Sequence, residues 1–253
     1  MKPLSSTLKR ITVAAALLWA AQAAISATLY DPALGSLPSA QSWITTGMGP
    51  FTESVNAGHY QFGTLAANAI QAGSAHFDTA SIDTVAGFTL DFNLRVVGEA
   101  HARDDRAGFS VIVIGQDPAH SLEIAFWGNH VWAYTDTFAH GADTGLDTSV
   151  ARDYALVVKN NAYVLSADGA NLFGGALVDY IAHGAPYNLA GFLFFGDDTT
   201  SARAQVELGA INIAAVPEPA TTALLTAGLL ALAWRGVAGA AAGRRAARGS
   251  VQS

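Results

Sequence analysis

From Phe88 the chain reads FTLDFNLRVV, and no other run limits the fold as strongly. Phe88, Leu90, Phe92, Leu94 and Val96 alternate with Thr89, Asp91, Asn93 and Arg95. A period of two puts successive side chains on opposite sides of the backbone, so the run predicts a strand with one buried face. A buried face needs a second layer to cover it, so a sheet packed on another layer is expected.

The rest of the middle repeats the message. FSVIVIG (109–115) and GFLFFG (191–196) are apolar on both faces and predict central strands. SLEIAFW and HVWAYTD are separated by Gly128-Asn129, and YALVVK and YVLSAD by Asn160-Asn161-Ala162. Both pairs read as hairpins. HYQFGT and SAHFDT add strands before them, and AQVELGAINI closes the set with alternation again. Only LAANAIQAG (65–73) offers a short helix as an alternative to loop. Strands at roughly ten-residue spacing, with Gly, Asn and Asp between them, predict an all-β, two-sheet antiparallel sandwich. No repeat of propeller or solenoid period is visible.

The ends read as handling signals. Lys2, Lys9 and Arg10 precede the apolar run ITVAAALLWAAQAAI, with small residues at 21–23 and 25–27. That order predicts a secretory signal peptide over residues 1–27, cut after Ala27, with Ala23 as the alternative. Near the other end stands VPEPATTALLTAGLLALAWRG, then GRRAARG. The uncharged run 220–234 would span ~22 Å as a helix, short of the ~30 Å hydrocarbon core. Arg235 can snorkel, which extends the expected membrane helix to about 220–240. Arg244, Arg245 and Arg248 then mark the cytoplasmic side. Pro217 and Pro219 hold the preceding backbone extended. The expected division is signal peptide 1–27, sandwich 28–213, and sorting segment 214–253.

Charge sharpens this division. The chain carries a net −7, but seven of its 13 Lys and Arg lie in the two ends. Residues 28–216 keep six basic residues against 19 acidic ones. Such an acidic body argues against nucleic acid and anionic lipid as its partners. With no cysteine there is no disulfide framework, thiolate metal site or Cys nucleophile, and stability rests on the core.

Two resemblances follow from these residues. The runs GFTLDFNLRVV, RAGFSVIVIG, LEIAFWGNHVWAY and FLFFGDDTTSARAQVELGAINI, within about residues 50–213, resemble the concanavalin A-like or laminin G-like jelly roll. More narrowly they are similar to the choice-anchor domains of secreted bacterial proteins. The ending, with Pro217-Glu218-Pro219, an apolar run, and Arg244 and Arg245, resembles the PEP-CTERM sorting signal of Gram-negative bacteria. That resemblance implies export through the inner membrane and a transient anchor there. It also implies processing by an exosortase and delivery to the surface. A permanent single-span anchor is the alternative.

Catalytic patterns are sparse. His59, His76, His101, His120, His130, His140 and His183 form neither HxH nor HExxH, and GxSxG is absent. A jelly-roll glycosidase needs two carboxylates across the scissile bond, and one such family sets them on one strand as ExDxE. Here Glu123 is followed two residues on by Ala125, so a second acid would have to come from another strand. Asp104-Asp105, Asp197-Asp198, Asp143 and Asp147 raise calcium as a ligand. DxDxDG spacing is absent, however, and these acids read as solvated turn residues. Trp43, Trp127, Trp132 and Tyr134 could stack on sugar rings, with Asn129 and His130 at the turn. The competing reading puts Trp127 and Trp132 in the core. Two classes survive: a non-catalytic binding or matrix protein associated with extracellular polysaccharide, and a secreted carbohydrate-active enzyme. The missing second acid favours the first.

Overall fold

The computed structural model describes residues 26–66, 70–78 and 80–216. Among them the strands are, in chain order, β1 (Ser26–Tyr30), β2 (Ile44–Met48), β3 (Thr52–Asn56), β4 (His59–Gly63), β5 (Gln71–Phe77), β6 (Phe88–His101), β7 (Ser110–Ile114), β8 (Ser121–Phe126), β9 (His130–Tyr134), β10 (His140–Gly145), β11 (Arg152–Lys159), β12 (Ala162–Ala167), β13 (Ala170–Ala176), β14 (Phe192–Asp197) and β15 (Ala202–Ala215). They form two antiparallel sheets. The first runs β13-β12-β11-β6-β15-β4-β3, with β1 also paired to β15. The second runs β10-β9-β8-β7-β14-β5-β2. The two-sheet antiparallel architecture expected from the alternation is the one observed.

The local reasons are legible. In β6, Phe88, Leu90, Phe92, Leu94 and Val96 are buried, while Thr89, Asp91, Asn93 and Arg95 are half-exposed on the outer face. The β8–β9 and β11–β12 hairpins form where Gly128-Asn129 and Asn160-Asn161 predicted turns. Asn160 and Asn161 take φ of 51° and 56°, the left-handed pair that a tight two-residue hairpin turn requires. β7, β8 and β14 are buried on both faces because loops cover the outer side of the second sheet.

The sheets are locked together by a knot of rings. Phe92 of β6 stacks on Tyr154 of β11, with centroids 5.3 Å apart and planes 13° apart. From the facing sheet, Phe126 of β8 and Phe195 of β14 meet Phe92 edge-on at 6.3 and 5.4 Å. Phe126 also meets Tyr154 edge-on at 5.3 Å. Edge-to-face pairs of this kind add to the area each ring buries.

Several expectations need correction. The 65–73 run is no helix where it is described: Leu65 and Ala66 form a turn, and Gln71, Ala72 and Gly73 open β5. Asp197 is no solvated turn residue but a fully buried one ending β14. The expected signal peptide, the membrane helix, and Pro217, Glu218, Pro219, Arg244 and Arg245 lie outside the described residues. Among the described residues no helix is long and apolar enough to cross a membrane.

The two ends of the sandwich leave from one place. Ser26 of β1 pairs with Ala214 of β15, whose next residue, Ala215, pairs with Phe88 of β6. The strand closing the first sheet therefore runs to within two residues of Pro217.

Candidate functional site

The outer face of the second sheet gathers most of the candidate residues. Register sets this. Asp143 of β10 lies opposite Trp132 of β9, Trp132 opposite Ala125 of β8, Ala125 opposite Ser110 of β7, and Ser110 opposite Gly196 of β14. Residues two apart share a face, so Glu123, Tyr134 and Ile112 join this row. The opposite parity, with Leu122, Ile124, Phe126 and Val131, fills the core between the sheets.

At the β9–β10 end the aromatics and histidines pack as a cluster. Trp132 is fully buried, stacked on His140 at 4.2 Å and edge-on to Trp127 at 4.7 Å. Trp127 is half-buried, stacks on His101 at 4.0 Å, and donates its indole N–H to the Arg106 carbonyl at 2.9 Å. His130 Nε2 lies 3.4 Å from Asp143 Oδ2, and His140 Nδ1 lies 3.9 Å from it. Tyr134 is buried, with its hydroxyl donating to the Asp105 carbonyl at 3.1 Å. Asn129 stays exposed in the turn, where its carbonyl accepts the Leu146 N–H. Of the five residues picked from sequence, Trp127, His130, Trp132 and Tyr134 therefore converge and Asn129 stands apart. Trp132 and Tyr134 present no open ring face. They belong to a second apolar cluster, separate from the core between the sheets.

Beside them sits a constellation that spacing along the sequence missed. Glu123 is fully buried on β8. Tyr187 Oη lies 2.7 Å from Glu123 Oε2 and 3.1 Å from Asp198 Oδ2, so one hydroxyl bridges the two carboxyl groups. Burial first, and then the charge of Asp198, push the Glu123 carboxyl well above its ordinary range. Burial also raises Asp198, against the hydrogen bonds of Tyr187 and Glu123. The phenol has one proton for two carboxyl acceptors, and the Ser110 hydroxyl stands beside Glu123 as a further donor. The only signal in the sequence was Glu123 itself, an acid in an otherwise apolar strand; its partner lies 75 residues on.

One neighbouring donor is left over: the buried Trp132 indole N–H has no partner. The acidic pairs do not converge as calcium ligands. Asp105 is held by Arg103 and Arg106, Asp197 accepts from Thr64, and Asp198 faces Glu123. Among the described residues no group of three or more His, Asp or Glu is placed to hold a metal ion.

The segment 179–190 covers this face. It leaves the β-bridge Val178–Ser121 and returns at Gly191, whose N–H donates to the Gly115 carbonyl. Tyr180 lies on Phe138, with centroids 5.2 Å and planes 4° apart, and donates to the Tyr134 carbonyl at 2.8 Å.

Comparison with solved structures shows the same galectin-like fold class. A carbohydrate esterase of the Shiga toxin-encoding bacteriophage phi24B matches with a TM-score of 0.54 at 13% identity, covering 76% of this chain and 99% of that one. A Bacillus subtilis protein of unknown function with a galectin-like fold matches with a TM-score of 0.50 at 10% identity, covering 78% and 100%. A sialidase matches with a TM-score of 0.51 at 11% identity, covering 78% of this chain and 19% of that one. No curated protein matches the chain in sequence. Residues 215–235 match the PEP-CTERM protein-sorting motif, which implies export and processing by an exosortase.

Proposed function

We propose that this chain is a non-catalytic surface protein, exported, held briefly at the inner membrane and processed by an exosortase, whose sandwich binds extracellular polysaccharide. The observation that carries the reading is the sorting-motif match. It begins at residue 215, the last residue of β15, so the folded body and the processing signal adjoin. The acidic body suits a soluble extracellular domain and leaves neutral glycans as better partners than anionic polymers.

One observation speaks to the enzyme alternative. A second acid, which a glycosidase would need, is brought beside Glu123 as Asp198, the residue just after β14. But the Tyr187 hydroxyl stands between the two acids, 2.7 Å from Glu123 Oε2 and 3.1 Å from Asp198 Oδ2, where a glycosidase pair must flank the scissile bond. That occupied gap favours the non-catalytic reading.

The test uses a tag placed after Arg248. Glu218→Ala is expected to leave export and folding intact while the tag stays on the envelope protein; in wild type the tag is lost. Equal retention in both would make the tail a plain anchor. The same preparation reports the mature N-terminus by mass spectrometry. Because Ser26 and Ala27 are paired in β1, cleavage after Ala23, leaving Ala24 first, keeps that ladder whole. A start at Thr28 would instead support the Ala27 site.

A further inference from the structure

The second sheet ends in a strand whose outer edge is open to pairing. We propose that β2 is the contact between two copies of this chain, its free edge pairing antiparallel with β2 of the second copy about a two-fold axis at Thr46. The second sheet then runs unbroken through both copies. Such pairing is independent of what the sandwich binds.

Comparison of the sheet edges singles out β2. The first sheet ends in β13 and β3, the second in β10 and β2. An edge strand carries a row of free N–H and C=O groups, and proteins blunt it with charge, a bulge or proline. β3 carries Glu53, β10 carries Asp143 and a register break between His140 and Asp143, and β13 has a break opposite Leu165 and Ser166. β2 has none of these. It reads ITTGM and pairs with β5 without a break, from Ile44–Ala75 to Met48–Gln71. Among the described residues no strand pairs with its other side. It also holds large apolar side chains in water, with Ile44 56% and Met48 63% exposed. The exposed residues of β13 are only Ala, Asn and Gly, so pairing there buries little. Pro50, two residues past β2, ends the ladder.

The edge is complementary to itself. With the axis at Thr46, Ile44 of one copy lies opposite Met48 of the other, Thr45 opposite Gly47, and Thr46 opposite its own counterpart. Ile44, Thr46 and Met48 share one face, so an apolar pair forms on each side of a threonine pair. That face is the outer one, because Ile44 pairs with Ala75 of the outer apolar cluster. Phe77, two residues beyond Ala75 and itself exposed, lengthens the apolar strip. On the opposite face Gly47 leaves room for Thr45. A slip of one residue sets Ile44 against Gly47 or Gly49 and turns the second copy over, so a single register is favoured. Charge selects the same edge. Residues 28–216 hold six basic and 19 acidic side chains, so two copies repel over most approaches. From Pro32 to Thr52 the chain has no Asp, Glu, Lys, Arg or His. The strand with the exposed apolar pair therefore lies in the longest uncharged approach beside it.

The chain has no cysteine, so disulfide trapping with an added oxidant reads the pairing in the full chain. Directly opposed residues of an antiparallel pair have Cα atoms about 4.5–5.5 Å apart, within disulfide reach. Thr46→Cys is expected to give a reducible dimer of twice the chain mass. Ile44→Cys should cross-link to Met48→Cys when the two are mixed, and neither should cross-link to itself. Asn171→Cys on β13 and Val157→Cys on the outer face of the first sheet should stay monomeric. Without cross-links, sedimentation of the full chain in detergent should show a dimer that tightens as salt rises, because screening weakens the repulsion between acidic bodies. Thr46→Lys opposes two ammonium groups at the axis and should weaken that dimer at least about tenfold. Its melt should match the parent, since Thr46 is exposed. A Thr46→Cys chain that stays monomeric, or that joins a different protein, overturns the proposal. So does equal cross-linking through Asn171→Cys or Val157→Cys, and so does a dimer that Thr46→Lys leaves intact.

Discussion

Phe92→Ala is expected to destabilise the sandwich by about 3–5 kcal/mol, the range for a deleted buried phenylalanine. The ring lies at the centre of the inter-sheet knot, touching Tyr154 in its own sheet and Phe126 and Phe195 in the other. Alanine removes the apolar area and the three ring contacts together. The hole cannot close readily, because Phe92 is held in register by β15 on one side and β11 on the other. For a domain of this size each kcal/mol shifts Tm by about 2–4 °C, so a fall of about 8–15 °C is expected. Phe109→Ala, on a ring that is also fully buried, belongs to the same class. A melt within about 2 °C of wild type, roughly the effect of a single kcal/mol, would show that the knot does not hold the sheets.

The second large effect is a pH dependence opposite to the common one. Asp197 is buried, accepts from the Thr64 hydroxyl at 2.7 Å and the Thr199 N–H at 3.1 Å, and has its carboxyl pushed up by burial to about 8. Glu123 and Asp198 are raised as well, burial again being the main cause. Unfolded carboxyls titrate near 4. Between about pH 4 and 8 the folded chain therefore binds more protons than the unfolded one, and linkage makes stability fall as pH rises through that window. The stabilisation is fully present below about pH 4 and is lost as pH climbs through the folded-state values. Asp105, Asp147 and Asp168 are lowered and act the other way, but they lie at the surface, where solvent screens the effect. The net expectation is a loss on the order of 3 kcal/mol, about 6–12 °C in Tm, between pH 4.5 and 8.5. Asp197→Asn should flatten the upper part of that decline, because an uncharged amide keeps the hydrogen bonds without the ionisation. A Tm at pH 8.5 equal to or above that at pH 4.5 would refute the protonated state of these acids.

Much of the sandwich was legible because its central strands carry their own pattern. β6 alternates along Phe88–Val96, β7 and β14 are apolar on both faces, and the turns of two hairpins announce themselves with Gly128-Asn129 and Asn160-Asn161. The edges were not legible. β2 (ITTGM), β3 (TESVN), β10 (HGADTG) and β13 (ANLFGGA) are rich in Gly, Thr and small residues and half wet, so no period survives to mark them. β1 fell in a stretch whose alanines suit a signal peptide as well as a strand, and while SAHF of β5 was read as strand, its opening Gln71-Ala72-Gly73 was read as the end of a short helix or a loop.

The same division runs through the site. By itself the sequence determined that this chain is an acidic β sandwich ending in a sorting motif, because alternation, charge and terminal patterns are local properties. It could also place Trp127, His130, Trp132 and Tyr134 near one another, since they lie on one hairpin. Only the tertiary structure decided that Trp132 and Tyr134 are covered, and that Glu123 has a partner. β8 and β14 flank β7 in the second sheet, which brings Glu123 and Asp198 together across 75 residues of chain. Residues 179–190 then lay Tyr187 over both acids. Contacts of that separation depend on sheet order and on where a loop comes to rest, and neither leaves a periodic trace in the residues themselves.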